Sequence, residues 1–275
     1  MRSCLIVLLM LAALPASAER LVVAGGTATE ILFALGAGDD IVAVDSTSRW
    51  PPAARALPDI GYVRALSAEG ILALRPDRVL LSHEAGPPAT VAALQGAVPT
   101  LQLAPLGGPA ALPEQVRQLG TAVGKAAPAD ELATRLEQAL VALRQPAAAD
   151  APSALVLLAA GPRGVMVAGR DTPAAALLAW LGLNNSAASV QGYKPMSAEA
   201  LLALKPELLI VAETEPGNFR LEEHAPLRHT PAVASDRVLV ADAMWLLGMG
   251  PRLPEALAAI RDLAVQEPVL AWQPK

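Results

Sequence analysis

The sequence has 275 residues and a formal net charge of −5. A chain of this length can bury a sizeable core as one large domain or two small ones, and its negative charge gives no indication of binding to nucleic acid or to an acidic membrane surface. Its one cysteine, Cys4, lies in the leader described next. For the processed chain this excludes disulfides, thiolate nucleophiles, Cys-ligated zinc and iron–sulfur clusters.

The first 18 residues have the pattern of a cleavable secretory signal. Arg2 gives a positive start, an apolar run follows from Leu5 to Leu14, and Ala16-Ser17-Ala18 forms an A-x-A cleavage site. The apolar run is too short to cross a bilayer comfortably, which disfavours the alternative of an uncleaved anchor. We therefore predict cleavage after Ala18 and export to the periplasm.

Beyond the leader, short apolar runs alternate with helical segments. Thr27 to Glu30 reads as a Thr-x-x-Glu capping box that opens the first helix. The runs are continuous and apolar, as in strands buried on both faces, so the alternation predicts an α/β fold with largely parallel sheets. The predicted strands are Leu21–Ala24, Ile41–Val44, Arg78–Leu81, Leu155–Leu158, Leu208–Val211 and Arg237–Val240.

An internal repeat is the most informative pattern in the sequence. Residues 67–77 read SAEGILALRPD and residues 197–207 read SAEALLALKPE, and a Gly-Tyr pair precedes each copy. Ser67 and Ser197 are expected to cap their helices. The copies lie too far apart for a solenoid, whose period is about 20–50 residues. The repeat therefore predicts two lobes that share a strand–helix–strand unit.

A long amphipathic helix is predicted between the two copies. From Ala129 to Gln145, leucines recur on one face at helical spacing, and a Pro/Ala stretch from Pro146 to Pro152 ends the pattern. We predict an N-terminal lobe at 19–127, a connecting helix at 128–146 and a C-terminal lobe at 147–275. One rigid connecting helix would permit a small rocking motion of the lobes rather than wide closure.

Several segments resemble the periplasmic haem-binding proteins of bacterial haem ABC importers. The most specific segment is GYVRALSAEG at residues 61–70; VAGRDT at 167–172 and LGMGPR at 247–252 are also similar to that family. The resemblance covers nearly the whole chain after the leader. It implies a class III periplasmic binding protein, with two Rossmann-like lobes joined by one long helix. It also implies a monomer that carries haem to a permease dimer with its ATPase.

The resemblance assigns an iron ligand. It makes Tyr62 the axial ligand of haem iron, and a phenolate oxygen suits ferric iron. The cation of Arg64, two residues further on, would favour the phenolate. His83 follows a predicted strand and is the second candidate ligand. Tyr193 holds the related place in the second copy and is a candidate for lining the pocket.

Other residues have predicted roles at the cleft and at the surface. Arg170 and Arg252, together with Arg49, are candidate partners for the haem propionates. In two-lobed binders with a helical hinge, an acidic residue on each lobe docks onto arginines of the permease, and Glu69 and Glu199 resemble those residues. Each glutamate also falls in the first turn of its predicted helix, where a carboxylate is favoured by the helix dipole.

Alternative functions remain open at this stage. Some relatives carry a second-lobe histidine, but residues 159–162 read AAGP, which favours either five-coordinate haem through Tyr62 or a sixth ligand that the sequence does not identify. The same fold could carry a ferric siderophore or cobalamin, or act as a haem carrier without a transporter. An enzyme is disfavoured, because the sequence has no Gly-x-Ser-x-Gly elbow, phosphate loop or His-Glu-x-x-His motif. We therefore predict no catalytic residues.

Overall fold

A computed structural model describes residues 19–159 and 164–265. The predicted signal at 1–18 and nearly all of the AAGP segment lie outside the described residues. No helix within the described ranges is both long and apolar enough to cross a membrane.

The N-terminal lobe contains a four-stranded parallel sheet in the order β2-β1-β3-β4. The strand β1 lies inside the sheet and is fully buried, as expected for its sequence LVVA. The strands are β1 (Leu21–Ala24), β2 (Ile41–Val44), β3 (Arg78–Leu81) and β4 (Thr100–Gln102). The helices are α1 (Gly26–Ala34), α2 (Ala68–Ala73), α3 (Pro88–Ala97) and α4 (Leu112–Ala122).

The C-terminal lobe contains a six-stranded mixed sheet. Strands β10, β9 and β5 are parallel neighbours, β7 pairs in parallel with β5, and β6 and β8 extend the sheet antiparallel. The strands are β5 (Ser153–Ala159), β6 (Val165–Ala168), β7 (Asn184–Asn185), β8 (Tyr193–Pro195), β9 (Leu208–Glu213) and β10 (Val238–Asp242). The helices are α6 (Pro173–Trp180), α7 (Ala198–Ala203), α8 (Pro231–Ala234), α9 (Ala243–Leu247) and α10 (Leu253–Ala264).

The six predicted strands are confirmed within one or two residues at their ends. The sequence pattern missed β4, β6, β7 and β8, which are short and lie in segments with few consecutive buried residues. The prediction of largely parallel sheets holds for the first sheet and for the core of the second. The antiparallel β6 and β8 make the second sheet mixed.

The helix α5 (Ala126–Leu143) follows α4 and precedes the second sheet. It starts earlier and ends earlier than predicted, and all four leucines of its apolar face are buried. These leucines belong to one apolar cluster that contains residues of both sheets' helices, including Ile31 of α1 and Leu257 of α10. The connecting helix therefore packs into a core shared by the two lobes, which favours a fixed arrangement over a freely flexing one.

The capping-box prediction for Thr27 and Glu30 is wrong. The helix α1 begins at Gly26 with no side-chain cap, and both polar side chains instead contact the other lobe. Gly25, at the N-cap, has a φ of 136°, and a Cβ there would lie 2.7 Å from the Ser82 side chain. The start of α1 is therefore set by tertiary contacts. The close packing of Ser82 against residue 25 requires glycine there, and the side chains of Thr27 and Glu30 find hydrogen-bond partners in the other lobe.

Candidate functional site

A cavity with a volume of about 670 Å³ lies between the two lobes. Its walls include segments that follow the carboxyl ends of β1, β3 and β4 in the first lobe and helix α9, which follows β10, in the second. Parallel α/β sheets commonly bind ligands outside the carboxyl ends of their strands. The cavity size falls within the range of small-molecule and cofactor sites.

Much of the cavity wall is apolar. Leu103 and Leu106 follow β4 in the first lobe, and Leu158 lies in β5 of the second. Met244 lies in α9 and Met249 just after it. The charged side chains among the described lining residues are those of Arg64, Glu84 and Asp171, and the imidazole of His83 also lines the cavity. Such a wall suits a large apolar ligand that also presents a few polar or charged atoms.

Tyr62 begins a turn next to this cavity but is not itself among the residues that line it. Its side chain is 46% exposed, and the next two residues, Val63 and Arg64, line the cavity. The turn is held by backbone hydrogen bonds: the Ala65 N–H donates to the Tyr62 carbonyl at 2.7 Å, and the Gly86 N–H donates to the Val63 carbonyl at 3.0 Å. The fold therefore presents an exposed phenol on a well-supported segment beside the cavity.

Arg64 forms an ion pair with Glu84 on the cavity wall. Both side chains are partly exposed, and Glu84 follows His83 in the loop after β3. The structure thus brings Arg64 and His83 to one wall, beside the turn of Tyr62. Sequence reasoning missed Glu84, although its position directly after a candidate ligand at a strand end was a usable signal.

Tyr193 lines the cavity from the second lobe. It is the first residue of β8, pairs with Ala168 of β6 and is half-buried. Burial first, and then the negative charge of Glu84, raise the pKa of Tyr193 to about 12. Its hydroxyl is therefore protonated at neutral pH and can donate a hydrogen bond to a bound ligand.

The three arginines expected near the propionates do not line the cavity. Arg170 is exposed and donates to the Ser189 carbonyl at 2.9 Å. Arg49 pairs with Asp242 at 3.0 Å. Arg252 donates from Nε and Nη2 to the two carboxylate oxygens of Glu30, at 3.0 and 2.9 Å. Arg49 and Arg252 are occupied because each bridges the two lobes.

The bridge between Glu30 and Arg252 is buried. Their side chains are 9% and 13% exposed, the Arg252 backbone N–H also donates to Glu30, and the guanidinium lies 4.4 Å from the centre of the Trp50 ring. Gly250 permits this approach, since a Cβ there would lie 3.1 Å from the carboxylate. Thr27 adds a hydrogen bond to the Gly248 carbonyl, and Thr27 and Gly248 line the cavity. Thr27 and Gly248 therefore belong both to the contact between the lobes and to the cavity wall.

Glu69 and Glu199 lie on the surface, away from the cavity wall. Each is exposed in the first turn of a short helix whose N-cap serine accepts a backbone N–H, Gly70 to Ser67 at 3.2 Å and Ala200 to Ser197 at 3.3 Å. The predicted serine caps are confirmed. Hydrogen bonds from its own backbone N–H and from Ser197 lower the pKa of Glu199. The glutamate is thus held ionised and accessible to a partner.

The sequence profile described as periplasmic binding protein matches residues 21–244. Two solved structures are similar over nearly the whole chain. A periplasmic heme-binding protein from Pseudomonas aeruginosa is 35% identical, with a TM-score of 0.81 over 92% of this chain and 97% of that chain. The periplasmic heme-binding protein of Roseiflexus sp. RS-1, in apo form, is 36% identical, with a TM-score of 0.80 over 90% and 99%.

A vitamin B12-binding protein of Vibrio cholerae is 26% identical over 250 residues, which are 91% of this chain and 90% of that protein. The similarity thus extends to binders of two different metal-containing macrocycles. The identity is higher for the two heme-binding structures.

Proposed function

The chain belongs to the periplasmic binding protein family, and we propose that it captures haem in the cavity between its lobes and delivers it to an ABC importer. The observation that carries this proposal is the Tyr62 turn next to an apolar cavity, in a chain 35% and 36% identical to two periplasmic heme-binding proteins. The leader supports export, with cleavage after Ala18. We infer a binding role without a chemical step.

Tyr62 is the proposed axial ligand of ferric haem. Its exposed phenol reaches incoming ligand without any displacement of the core, and a phenolate is a hard oxygen ligand that matches ferric iron. Arg64 stands two residues away and supplies positive charge near the phenolate. Its ion pair with Glu84 offsets part of that charge. His83, on the same wall, is the proposed second candidate for the iron.

The cavity wall supports a porphyrin as cargo. Aliphatic side chains from both lobes can contact the two faces of a flat apolar ring, and Tyr193 can donate a hydrogen bond from the second lobe. In this structure Arg170 is bonded to the Ser189 carbonyl and Arg252 is paired with Glu30. Contact with the haem propionates would require Arg252 to leave Glu30, so we do not assign it that role.

The test of the cargo is a titration of the processed protein with ferric haem, followed by absorbance. Wild-type protein is expected to bind one haem saturably with a high-spin, tyrosinate-type spectrum. Tyr62→Ala is expected to abolish that spectrum. Saturable binding with an unchanged spectrum in Tyr62→Ala would move the ligand to another residue, His83 first. Absence of saturable haem binding by the wild type would overturn the proposal.

The alternative cargo is cobalamin, which the similarity to a vitamin B12-binding protein favours. A competition experiment separates the two. The haem-loaded protein is mixed with excess cyanocobalamin, and the haem spectrum is followed. Retention of the haem spectrum, with no binding of cyanocobalamin to the ligand-free protein, supports haem. Displacement of haem, or tight binding of cyanocobalamin alone, favours cobalamin.

Glu69 and Glu199 are the proposed docking acids for the permease. Both are exposed, and they occupy equivalent places in the two copies of the repeat. Glu69→Arg and Glu199→Arg are expected to weaken haem uptake through the reconstituted importer without weakening haem binding. Uptake that is unchanged in both variants would show that docking uses another surface.

A further inference from the structure

Helix α9 belongs to the second lobe and forms part of the cavity wall, but its N-terminus is joined to the first lobe. Asp242, the N-cap residue, accepts hydrogen bonds at Oδ1 from the backbone N–H groups of Met244 and Trp245, at 2.8 and 3.0 Å. Its other oxygen, Oδ2, accepts a hydrogen bond from Arg49 at 3.0 Å. One carboxylate therefore both caps α9 and attaches it to the first lobe.

The first lobe also contacts α9 further along the helix and at its C-terminus. A Cβ on Gly26 would lie 2.8 Å from the methyl carbon of Met244 and 2.7 Å from the Thr47 carbonyl oxygen. Gly26 thus allows a close approach that a side chain would obstruct. At the other end, the Thr27 hydroxyl donates to the carbonyl of Gly248, the C-cap residue. Both ends of α9 are therefore fastened to the first lobe.

The length of α9 makes these attachments important. It has five residues, and helices shorter than about 12–15 residues are marginal in isolation because nucleation is unfavourable. Trp245 and Leu246 are buried in the core shared by the two lobes, whereas Met244 and Leu247 line the cavity. The position of this part of the wall thus depends on contacts with the first lobe as well as on the core.

We propose that Arg49 and Asp242 are positioning residues for haem, because together they hold α9 as a preformed part of the cavity wall. Neither is among the described residues that line the cavity, so they act through α9 and not by contact with the ligand. A wall that is already ordered spares the ligand the cost of ordering it on binding. The inference rests on the proposed binding of haem, and it replaces the contact with a propionate that the sequence suggested for Arg49.

A second ion pair provides a matched control for the pair of Arg49 and Asp242. Arg78 donates from Nε to Glu19 at 2.9 Å, and both side chains are 32% exposed, compared with 29% for Arg49 and 14% for Asp242. Arg78 is the first residue of β3, whereas the cavity lies beyond the carboxyl end of that strand. Arg78→Met therefore removes a similar ion pair at a distance from the cavity.

Titration with ferric haem measures the effect on the ligand. Arg49→Met is expected to bind haem about tenfold more weakly than the wild type, the loss from one hydrogen bond to a charged group. Asp242→Asn keeps a side-chain acceptor for the cap but loses the charge, and it should weaken binding to a similar extent. Arg49→Lys retains a cation and should restore most of the affinity. Arg78→Met should bind haem like the wild type.

Hydrogen exchange of the ligand-free variants measures the effect on α9 itself. The amides of residues 243–248 are expected to exchange about tenfold faster in Arg49→Met than in Arg78→Met. Equal exchange in the two variants, or an equal loss of haem affinity, would overturn the inference. Faster exchange in Arg49→Met with unchanged haem affinity would also overturn it, because α9 would then not position the ligand. If the wild type itself binds no haem, the proposed function is wrong and the inference fails with it.

Discussion

The two copies of the internal repeat form the same helix but present their tyrosines in opposite ways. In both copies a serine caps the helix, and two residues after the last helical residue a basic residue has a positive φ, 50° at Arg75 and 43° at Lys205. Tyr62, before the first copy, is exposed on a turn. Tyr193, before the second, is a half-buried residue of a strand.

The difference shows that local sequence determines the helix and its cap, whereas tertiary pairing determines the conformation of the segment before the helix. The cap and helix need only residues within one turn, so both copies form them. The conformation and exposure of the tyrosine before the helix depend instead on the segments that pack against it. The first copy follows a turn bonded to Gly86, whereas the second follows a strand paired with β6. Two tyrosines with similar sequence surroundings therefore differ in exposure.

The largest expected effect comes from breaking the bridge between the lobes. Arg252→Met leaves the Glu30 carboxylate buried without its cation, so the free energy of unfolding should fall by about 3–5 kcal/mol. Urea denaturation measures the change. Arg117→Met, which breaks an exposed pair with Asp130, should cost less than ~1 kcal/mol. Equal losses in the two variants would contradict a special role for the bridge.

The second effect compares the two tyrosines directly. Tyr62→Phe should weaken ferric haem binding about 100-fold, which corresponds to ~2.7 kcal/mol, because the iron loses its anionic ligand. Tyr193→Phe removes one hydrogen-bond donor and should weaken binding less than about tenfold. Haem titration by absorbance gives both constants. Reversed sensitivities would place the ligand in the second lobe.

The third effect tests whether the two helices are equivalent. Ser67→Ala and Ser197→Ala each remove a side-chain acceptor from a helix N-terminus and should each lower the free energy of unfolding by about 1 kcal/mol. Denaturation with urea at fixed pH measures both losses. A loss for one variant and none for the other would show that the tertiary surroundings override the common cap.

The smallest effect concerns the acidity of Tyr193. Burial and Glu84 raise its pKa to about 12, above the ordinary value near ~10, so the folded state holds this proton more tightly. The contribution to stability is complete below about pH 10 and is lost as the pH rises through the folded pKa near 12. An alkaline absorbance titration should show a phenol that ionises near pH 12 and is absent in Tyr193→Phe.

Glu84→Gln sharpens that measurement. Removal of the carboxylate charge should lower the pKa of Tyr193 towards the value set by burial alone, because the charge opposes ionisation of the phenol. The same titration detects the change in the ligand-free protein. An unchanged ionisation in Glu84→Gln would show that burial accounts for the whole shift.

Much of the scaffold could be predicted from local patterns. Continuous apolar runs identify the buried strands, and leucines at helical spacing identify α5, because each pattern reports burial within one element. The repeat identifies two related helices with their caps. The resemblance of residues 61–70 to a family drew attention to the Tyr62 turn, which the structure places next to the cavity.

Only the tertiary structure decided how the polar side chains are used. Glu30 and Thr27 fit a capping box in sequence, and Arg252 fits a ligand contact, yet all three bridge the lobes. Arg64 takes Glu84 as its partner from another loop. Charged and hydroxyl groups pair with whatever the fold brings within hydrogen-bond distance, and buried groups must find such partners. Sequence spacing therefore determined the elements of this protein, whereas contacts between distant segments determined its cavity and its lobe junction.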